Sequence, residues 1–402
     1  MRPNSTPMPA FVPKVLVPLL LMATVACVHS RHDGSPCQDA GSPYRDLRTV
    51  PEGTIVDIRT GYDVDRATLF DHLARVQVVY VGETHDNPDS HKVEAEVLRA
   101  LADRHPDLAV GLEMISRDHQ SLLDDWIAGR LSEKEFARRW SQLWHPGYRA
   151  YQEVLTTARD RHIPLLALNA PQGLVREVSR HGLKDLPDDL AAQLPREMDT
   201  DDPYHRAKTE AIFGGHAHVG DIKDFYPAQV LWDETMAETA ADYLTNHPGS
   251  HLLILAGGYH VEQGVGIPRR LFRRVPVPFA IVLPYTPVTP EDKKDRLMDV
   301  DMPPIPLPLA DFVWAVPYGD LPGVTLGVLI DDREGARVAQ VVADSPAARA
   351  GILADDRIEA VGGEPVHDLF DLQWILGGLS RGQSTTVTVR RGDATTELKV
   401  AF

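Results

Sequence analysis

The stretch "VQVVYVGETHDNPDSHKVEAEVL", residues 76–98, joins a continuous apolar run to an amphipathic helical pattern. A short apolar run rich in β-branched residues is typical of a strand buried on both faces of a parallel sheet. Between the two patterns lies a polar turn that contains Glu83, His85 and Asp86. Because open parallel sheets bind ligands at the carboxyl ends of their strands, this turn is a candidate site as well as a candidate helix cap.

The same alternation continues from about residue 50 to residue 290. We predict strands at 75–81, 108–114, 163–169, 251–257 and 278–284, with helical patterns between them. Strands that alternate with helices indicate an α/β fold with a mostly parallel sheet and helices on both faces. The predicted domain covers residues 49–286.

Two further segments follow this domain. Residues 287–320 are rich in proline, which cannot continue a helix or a central strand, and they are predicted to form a linker. Residues 321–402 contain short strand patterns and a small helical one, and they predict a small β-barrel-like domain. A chain of 402 residues is long enough for two such domains.

The N-terminus is predicted to be a targeting segment outside the fold. Residues 1–26 carry basic residues before a short apolar core, which is typical of a secretory signal peptide. The small residues before Cys27 resemble a bacterial lipobox, which implies lipidation of Cys27 and a membrane-anchored protein of the bacterial cell envelope. A Cys27–Cys37 disulfide is the alternative. Residues 28–48 are polar and predict a flexible tether.

The formal net charge of −17 argues against sequence-independent nucleic-acid binding, which needs clustered lysine and arginine. One basic cluster stands out in "GIPRRLFRRV", residues 266–275. At helical spacing, its arginines are predicted to form a solvated helix face; they are Arg269, Arg270, Arg273 and Arg274.

Polar side chains follow four of the predicted strands. In chain order they are Glu83, His85, Asp86 and Asn87, then Glu113, then Asn169, and finally Tyr259, His260 and Glu262. Polar groups that converge at a sheet edge are costly unless they are used. We therefore predict a crevice built by Glu83, His85, Glu113 and His260.

Two G-x-x-H units, at residues 82–85 and 257–260, both follow predicted strands, and their glycines permit close backbone approach there. A third unit, at residues 215–218, does not follow an obvious strand. Its His216 and His218 belong either to a loop with incidental histidines or to a lid that supplies an additional ligand.

Tyr148 and Tyr151 lie three residues apart, on one face of a predicted helix. They either pack in the core, or supply a phenolate ligand to ferric haem or a stacking surface for a flat ligand.

The chain contains no phosphate-binding G-x-x-x-x-G-K-[ST], no G-x-S-x-G and no C-x-x-C-H motif. The sequence therefore argues against a P-loop nucleotide hydrolase, a serine α/β-hydrolase and a protein with covalent c-type haem.

Several blocks in order, among them "VVYVGETHDNPDSH", "VGLEMI" and "LAGGYHVEQGVGIPRRL", resemble the ChaN-like haem-binding, iron-regulated lipoproteins over roughly residues 50–285. The resemblance implies haem bound without covalent attachment, with tyrosine ligation, at a site that two subunits of a homodimer could share. Tyr151 matches the family's tyrosine best, with Tyr148 as the fallback. Gln229 and Asp233 match a further block, whereas residues 183–228 depart from the pattern.

The wider group, which includes the Tiki metalloproteases, TraB-like proteins and erythromycin esterases, implies a different chemistry. A divalent ion such as Mn²⁺ or Co²⁺ would be held by His85, His260 and Glu113, and it would acidify a bound water. Glu83 or Glu113 would then act as general base. The esterase-like members imply water activation by histidine without a metal.

Residues 321–402 resemble a PDZ domain of the bacterial protease type, most clearly in "VVADSPAARAGILADDRIEAVGGEPV" (341–366). Such a domain binds a peptide C-terminus as an added strand, which implies carboxylate binding by the amides of Leu326, Gly327 and Val328. A purely structural barrel is the alternative.

Together these patterns predict a haem-binding lipoprotein connected with iron acquisition and equipped with a peptide-binding module. The alternative is a metal-dependent hydrolase whose PDZ domain recruits a peptide substrate. Whether the protein is an enzyme stays open at this level, and a scaffold with a vestigial site is a third hypothesis.

Overall fold

A computed structural model describes residues 46–402, apart from residues 146, 185, 216–221, 297–301, 322 and 334. The predicted signal peptide, Cys27 and Cys37 lie outside the described residues, as do His216 and His218. Within the described ranges, no helix combines the length and apolarity that a membrane span requires.

Eight strands of the described chain form one sheet. They are β1 (Ile55–Asp57), β2 (Asp63–Val64), β3 (Val78–Glu83), β4 (Leu108–Ser116), β5 (Leu165–Asn169), β6 (His251–Gly257), β7 (Phe279–Tyr285) and β8 (Phe312–Ala315). Their order is β2-β1-β8-β7-β3-β6-β4-β5, and the strands from β8 to β5 are all parallel. The short strands β1 and β2 extend the sheet in antiparallel fashion. The predicted α/β fold is confirmed.

Helices cover this sheet. They are α1 (Arg66–Leu73), α2 (Pro88–Ala102), α3 (Gln120–Ile127), α4 (Glu133–Leu143), α5 (Tyr148–Asp160), α6 (Gln172–His181), α7 (Asp188–Ala191), α8 (Pro203–Gly215), α9 (Ile222–Asn246), α10 (Gly258–Val261) and α11 (Ile267–Arg274). Alternate residues of β3 enter two separate cores, Val79 and Val81 in one, Val78 and Tyr80 in the other. Because side chains alternate along a strand, the two cores lie on opposite faces of the sheet.

The turn after β3 ends in a well-formed helix start. The side chain of Asn87 accepts a hydrogen bond from the backbone N–H of Asp89 (3.1 Å), and Pro88 occupies the first turn of α2. Proline is tolerated there because its missing N–H would have no partner within the helix. The turn is therefore a helix cap, as one interpretation of the sequence expected, and it also fixes where the polar side chains before it lie.

The proline-rich segment differs from its prediction, because β8 lies inside it and between β1 and β7. Residues 312–315 contain no proline, while Pro308 and Pro317 flank them, so the backbone N–H groups of β8 remain available for pairing. The expectation that this segment holds no central strand is wrong. The predicted tether also overlaps the fold at its end, since Leu47 is fully buried in a core.

The predicted solvated face of arginines is wrong for Arg270, which is 1% exposed. Its guanidinium donates to the carbonyl oxygen of Val265 (2.7 Å) and lies 3.2 Å from a carboxylate oxygen of Glu234. Arg273 and Arg274 also bind Glu234, at 2.9 and 2.6 Å. The helix α11 therefore turns these arginines toward buried acids of α9, which helical spacing alone does not reveal.

The C-terminal domain is an antiparallel sheet with two helices and its own core. Its elements are β9 (Val328–Asp331), β10 (Arg337–Val341), α12 (Pro346–Ala350), β11 (Arg357–Val361), β12 (Glu364–Pro365), α13 (Leu369–Leu376), β13 (Ser384–Arg391) and β14 (Ala394–Ala401). The strand order is β14-β13-β11-β10-β9, with β12 on β11, so β9 is an edge strand.

Candidate functional site

The two G-x-x-H units meet because β3 and β6 are neighbours in the sheet. Glu83 pairs in register with Gly257 at the carboxyl ends of these strands. A Cβ atom at Gly257 would lie 3.0 Å from the ring of His85 and 3.6 Å from a carboxylate oxygen of Glu113. Glycine at this position therefore lets the His85 ring lie against the backbone of the second unit, as the sequence predicts.

His85 is held by one nitrogen and open at the other. Its Nδ1 lies 2.5 Å from Oε1 of Glu83, a carboxylate with no exposed side-chain surface. Its Nε2 makes no hydrogen bond to any described residue, and the side chain is 39% exposed. The ring of Trp144 packs edge-on against it, with centroids 5.1 Å apart. Burial lowers the pKa of His85, but the hydrogen bond and charge of Glu83 outweigh burial and raise it.

Glu83 also anchors a buried cluster behind His85. Its Oε1 accepts a hydrogen bond from the Tyr151 hydroxyl (2.6 Å), and its Oε2 lies 3.1 Å from Nδ1 of His91. The same nitrogen lies 2.9 Å from Glu94. Burial favours the neutral form of Glu83, but the charge of His91 and the hydrogen bond from His85 hold its pKa well below the usual value. Burial and the nearby charge of Glu83 raise the pKa of Glu94, so this pair shares one negative charge.

A second network of hydrogen-bonded polar side chains includes the histidine of the other G-x-x-H unit. Glu113 accepts a hydrogen bond from the backbone N–H of Gly257 (2.6 Å) and lies 3.4 Å from Nε2 of His260. Nδ1 of His260 lies 2.6 Å from Asp233, whose other oxygen lies 2.7 Å from Nε2 of His205. Burial opposes the charged imidazolium, but the charges of Glu113 and Asp233 raise the pKa of His260 to about 10. His260 is therefore protonated at neutral pH.

Glu113 and His260 line a crevice of ≈400 Å³ at the carboxyl edge of the sheet. His85 lies beside this crevice, because its ring packs against Trp144, which is part of the lining. The polar groups of the crevice come from six residues, Glu113, Ser116, Asn169, Gln172, Arg176 and His260. Its apolar lining comes from the side chains of Met114, Leu143, Trp144, Val175 and Trp232. The volume is that of a pocket for a small molecule, and the mixture of aromatic walls with a few polar groups is typical of such pockets.

The two tyrosines predicted as haem ligands do not line this crevice. Tyr151 is fully buried, and its hydroxyl both donates to Glu83 and accepts from Nε1 of Trp144 (3.1 Å). Tyr148 is 2% exposed and donates to Glu133 (3.0 Å). Burial raises the pKa of both phenols far above the ordinary value, so the phenolate form is disfavoured at each. The core-packing interpretation of these tyrosines fits the structure.

The predicted metal ligands do not form a compact set. Among the described residues, two groups have histidine and carboxylate atoms that all lie within 4.8 Å of one another. They are the buried group Glu83, His91 and Glu94, and the more exposed group His105, Asp107 and His251. Neither contains the predicted combination of His85, His260 and Glu113.

Sequence reasoning missed three residues of the site, His91, Glu94 and His205. His91 and Glu94 lie three residues apart on α2, so they share the helix face that backs onto Glu83. Their spacing and their position directly after the polar turn were the available signal. His205 belongs to the segment that departs from the family pattern, and no periodicity marks it as a site residue.

A family profile described as "Haem-binding uptake, Tiki superfamily, ChaN" matches residues 69–271, which is just over half of the chain, and a PDZ domain profile matches residues 323–402. A solved structure described as cofacial heme binding to ChaN of Campylobacter jejuni is 18% identical, covers 65% of this chain and 95% of its own, and has a TM-score of 0.49.

Two curated relatives cover different parts of the chain. Protein RETICULATA-RELATED 5, chloroplastic, of Arabidopsis thaliana is 23% identical in an alignment of 277 positions that covers 62% of this chain and 35% of the relative. A protein of Brucella suis named "Probable periplasmic serine endoprotease DegP-like" is 41% identical over 71 residues, 18% of this chain and 14% of the relative. The chain thus spans about a third of the first relative and a seventh of the second. With its fold and with the family profile over half its length, the chain belongs to the ChaN family of haem-binding uptake proteins in the Tiki superfamily, and it carries a C-terminal PDZ domain.

Proposed function

We propose that this protein binds haem at the crevice and that Nε2 of His85 is the ligand to the iron. The observation that carries the proposal is the asymmetric environment of His85. Nδ1 is held 2.5 Å from the buried Glu83 carboxylate, while Nε2 is free of hydrogen bonds to described residues and partly exposed. Metal-ligating histidines typically donate their other ring N–H to a carboxylate, which fixes the tautomer and the ring orientation.

The chemistry of the crevice suits a flat, mostly apolar ligand with anionic groups. Trp144 and Trp232 offer aromatic surfaces, and the exposed Arg176 offers a cation for a propionate. Bound haem would supply an iron that accepts a nitrogen ligand. The protein's own contribution is to orient His85 through Glu83 and to hold Glu83 ionised through His91.

Tyrosine ligation has less support. The Tyr151 hydroxyl already makes two hydrogen bonds inside the fold, and an iron ligand there would need a phenolate next to the ionised Glu83. Ligation would therefore break both hydrogen bonds and place a phenolate beside the Glu83 carboxylate, a repulsion that only the charge of the iron itself would offset.

The hydrolase alternative also has less support. A general base should have a pKa near the working pH, whereas His260 has a pKa raised to about 10 and is protonated at neutral pH. No compact metal set includes it among the described residues.

The context of binding is part of the same proposal. We propose export of the protein, anchored by lipidated Cys27, a role in iron acquisition, and recognition of peptide C-termini by the PDZ domain. The family's description as haem-binding uptake proteins and the periplasmic protease relatives of the PDZ domain support this context. Homodimer formation around the haem remains a prediction of the resemblance.

The test is a haemin titration of the purified protein, followed by the shift of the Soret band. Wild type should show saturable binding, and His85→Ala should weaken it at least tenfold, the loss expected when a metal site is disrupted. His181→Ala is the matched control, because this histidine is more exposed than His85, at 58%, and lies on α6 outside the proposed ligand set. Equal affinity of wild type and His85→Ala would overturn the proposed ligation, and absence of saturable binding in wild type would overturn haem binding.

A further inference from the structure

The PDZ domain has a groove between its edge strand β9 and helix α13. The N–H groups of Leu326 and Gly327 at the head of this groove donate to no described residue. Gly327 has a φ of +79°, and a Cβ atom there would lie 2.2 Å from the Cβ of Ser345. The loop therefore requires glycine, and it presents two backbone donors beside an unpaired strand edge, which suits an added peptide strand with a free carboxylate.

The first domain forms a wall of the same cavity, whose volume is ≈810 Å³. Residues of α4, α5 and the segment between them line it, together with the PDZ loop and α13. Arg138 of α4 binds Asp368 and Asp371 at the start of α13, and Lys134 also binds Asp371 (2.8 Å). Arg149 of α5 lies over the Trp374 ring, 4.3 Å from its centroid. Contacts along the whole of α13 thus hold the groove against the first domain.

Arg149 differs from Arg138 in having no acidic partner among the residues that the structure describes. Its guanidinium donates to the side chain of Gln152 (3.1 Å) and to the carbonyl oxygen of Trp374 (3.2 Å). No carboxylate of the described chain lies within ion-pair distance of it, and its buried Nε has no hydrogen-bond partner there. A partly buried cation without a counter-charge, with one buried N–H unsatisfied, favours an anionic ligand beside it.

The position of Arg149 indicates which part of a ligand it would face. Its Nε lies 3.2 Å from where a Cβ of Gly377 would be, at the end of α13. The same end of α13 contacts the start of the PDZ loop, where the N–H of Val324 donates to the carbonyl oxygen of Leu376 (3.3 Å). Arg149 therefore lies at the carboxylate-binding end of the groove.

We propose that the groove is a composite site for a peptide C-terminus, in which Arg149 of the first domain supplies the counter-charge to the terminal carboxylate held by the PDZ loop. This inference rests on the proposed peptide binding by the PDZ domain. The first domain then takes part in recognising the peptide C-terminus. Peptide binding therefore depends on the contact between the first domain and the PDZ domain.

The test is a double-mutant cycle on the full chain. The tightest binder from a display library of random C-terminal heptapeptides is synthesised with a free carboxylate and with a C-terminal amide, and affinities are measured by fluorescence anisotropy. Arg149→Gln should weaken binding of the carboxylate peptide roughly twofold to fivefold, as expected for a partly screened charge pair, and leave binding of the amide peptide unchanged. Arg149→Lys should restore part of the loss. Arg161→Gln is the matched control, since Arg161 directly follows α5 and pairs with Asp103 away from the groove.

Three results would overturn the inference. Unchanged binding of the carboxylate peptide by Arg149→Gln would remove the role of Arg149 and leave peptide binding intact. Equal weakening of both peptides would indicate that Arg149 acts only by docking the domains. Failure of wild type to enrich any peptide would overturn the proposed peptide binding itself, and the composite site with it.

Discussion

Replacing Tyr151 with phenylalanine removes one buried hydroxyl and leaves the ring in place, so the substitution isolates the hydrogen bonds of the network behind His85. The hydroxyl donates to the ionised Glu83 at 2.6 Å and accepts from Trp144 at 3.1 Å. A hydrogen bond to a charged group contributes about 1.5–3 kcal/mol, and a neutral one about 1 kcal/mol. Trp144 is partly exposed and can turn to water, so the first bond dominates. We expect the free energy of unfolding to fall by about 2–3 kcal/mol.

Equilibrium unfolding in urea measures this change. The shift of the unfolding midpoint gives the difference in stability when the slope m, the dependence of the free energy of unfolding on urea concentration, is unchanged. Tyr148→Phe is the matched control, because its hydroxyl donates to Glu133, which is partly exposed and also accepts from Gln152 at 2.7 Å. That variant should lose no more than about 1 kcal/mol. The reasoning would be refuted if Tyr151→Phe lost no more stability than Tyr148→Phe. Tyr151→Phe should also keep the haem affinity of wild type within about threefold, a change of under 1 kcal/mol.

Three further predictions concern other parts of the molecule. Arg270→Met should lower the free energy of unfolding by about 1.5–3 kcal/mol, because it removes buried hydrogen bonds of a charged group while Glu234 keeps Arg273 and Arg274. Arg139→Met is the control in the same urea assay and should lose less than about 1 kcal/mol, because Arg139 and its partner Glu135 are both about half exposed. Gly327→Ala should abolish peptide binding measured by anisotropy through its clash with the neighbouring helix start, whereas Gly382→Ala, with φ +85° and open space around it, should preserve that binding. The pKa of His260 is raised from 6.5 to about 10, so its contribution to stability is complete below about pH 6.5 and is lost as the pH rises through about 10. The free energy of unfolding should therefore fall across this range by at most about 1.4 kcal/mol per pH unit, and His260→Gln should flatten the profile.

The parallel core of the fold follows from the sequence because its strands are continuous apolar runs between helical patterns. The predicted strand at 251–257 matches β6 in both bounds, and the others agree within a few residues. The strands that escaped prediction, β1, β2 and β8, contain four residues or fewer. Such short segments carry no periodicity, and their pairing partners lie far away in the chain.

The site residues that follow strands could be predicted from the sequence, because the strands themselves could be. Parallel strands deliver the residues that follow them to one edge, so Glu83, His85, Glu113 and His260 converge as expected. His91 and His205 reach the same place from helices, whose rotation about their axes the sequence does not specify. Tyr151 was assigned as a ligand from the resemblance, and only the packing of α5 shows that its hydroxyl points into the fold.

The identity of the iron ligand tests the central claim most directly. Electron paramagnetic resonance of the ferric haem complex, made with protein carrying isotope-labelled histidine, detects coupling of the iron spin to an imidazole nitrogen. We predict that this coupling is present in wild type and in Tyr151→Phe and absent in His85→Ala. A complex without histidine coupling, whose resonance Raman spectrum shows phenolate vibrations that disappear in Tyr151→Phe, would contradict the account.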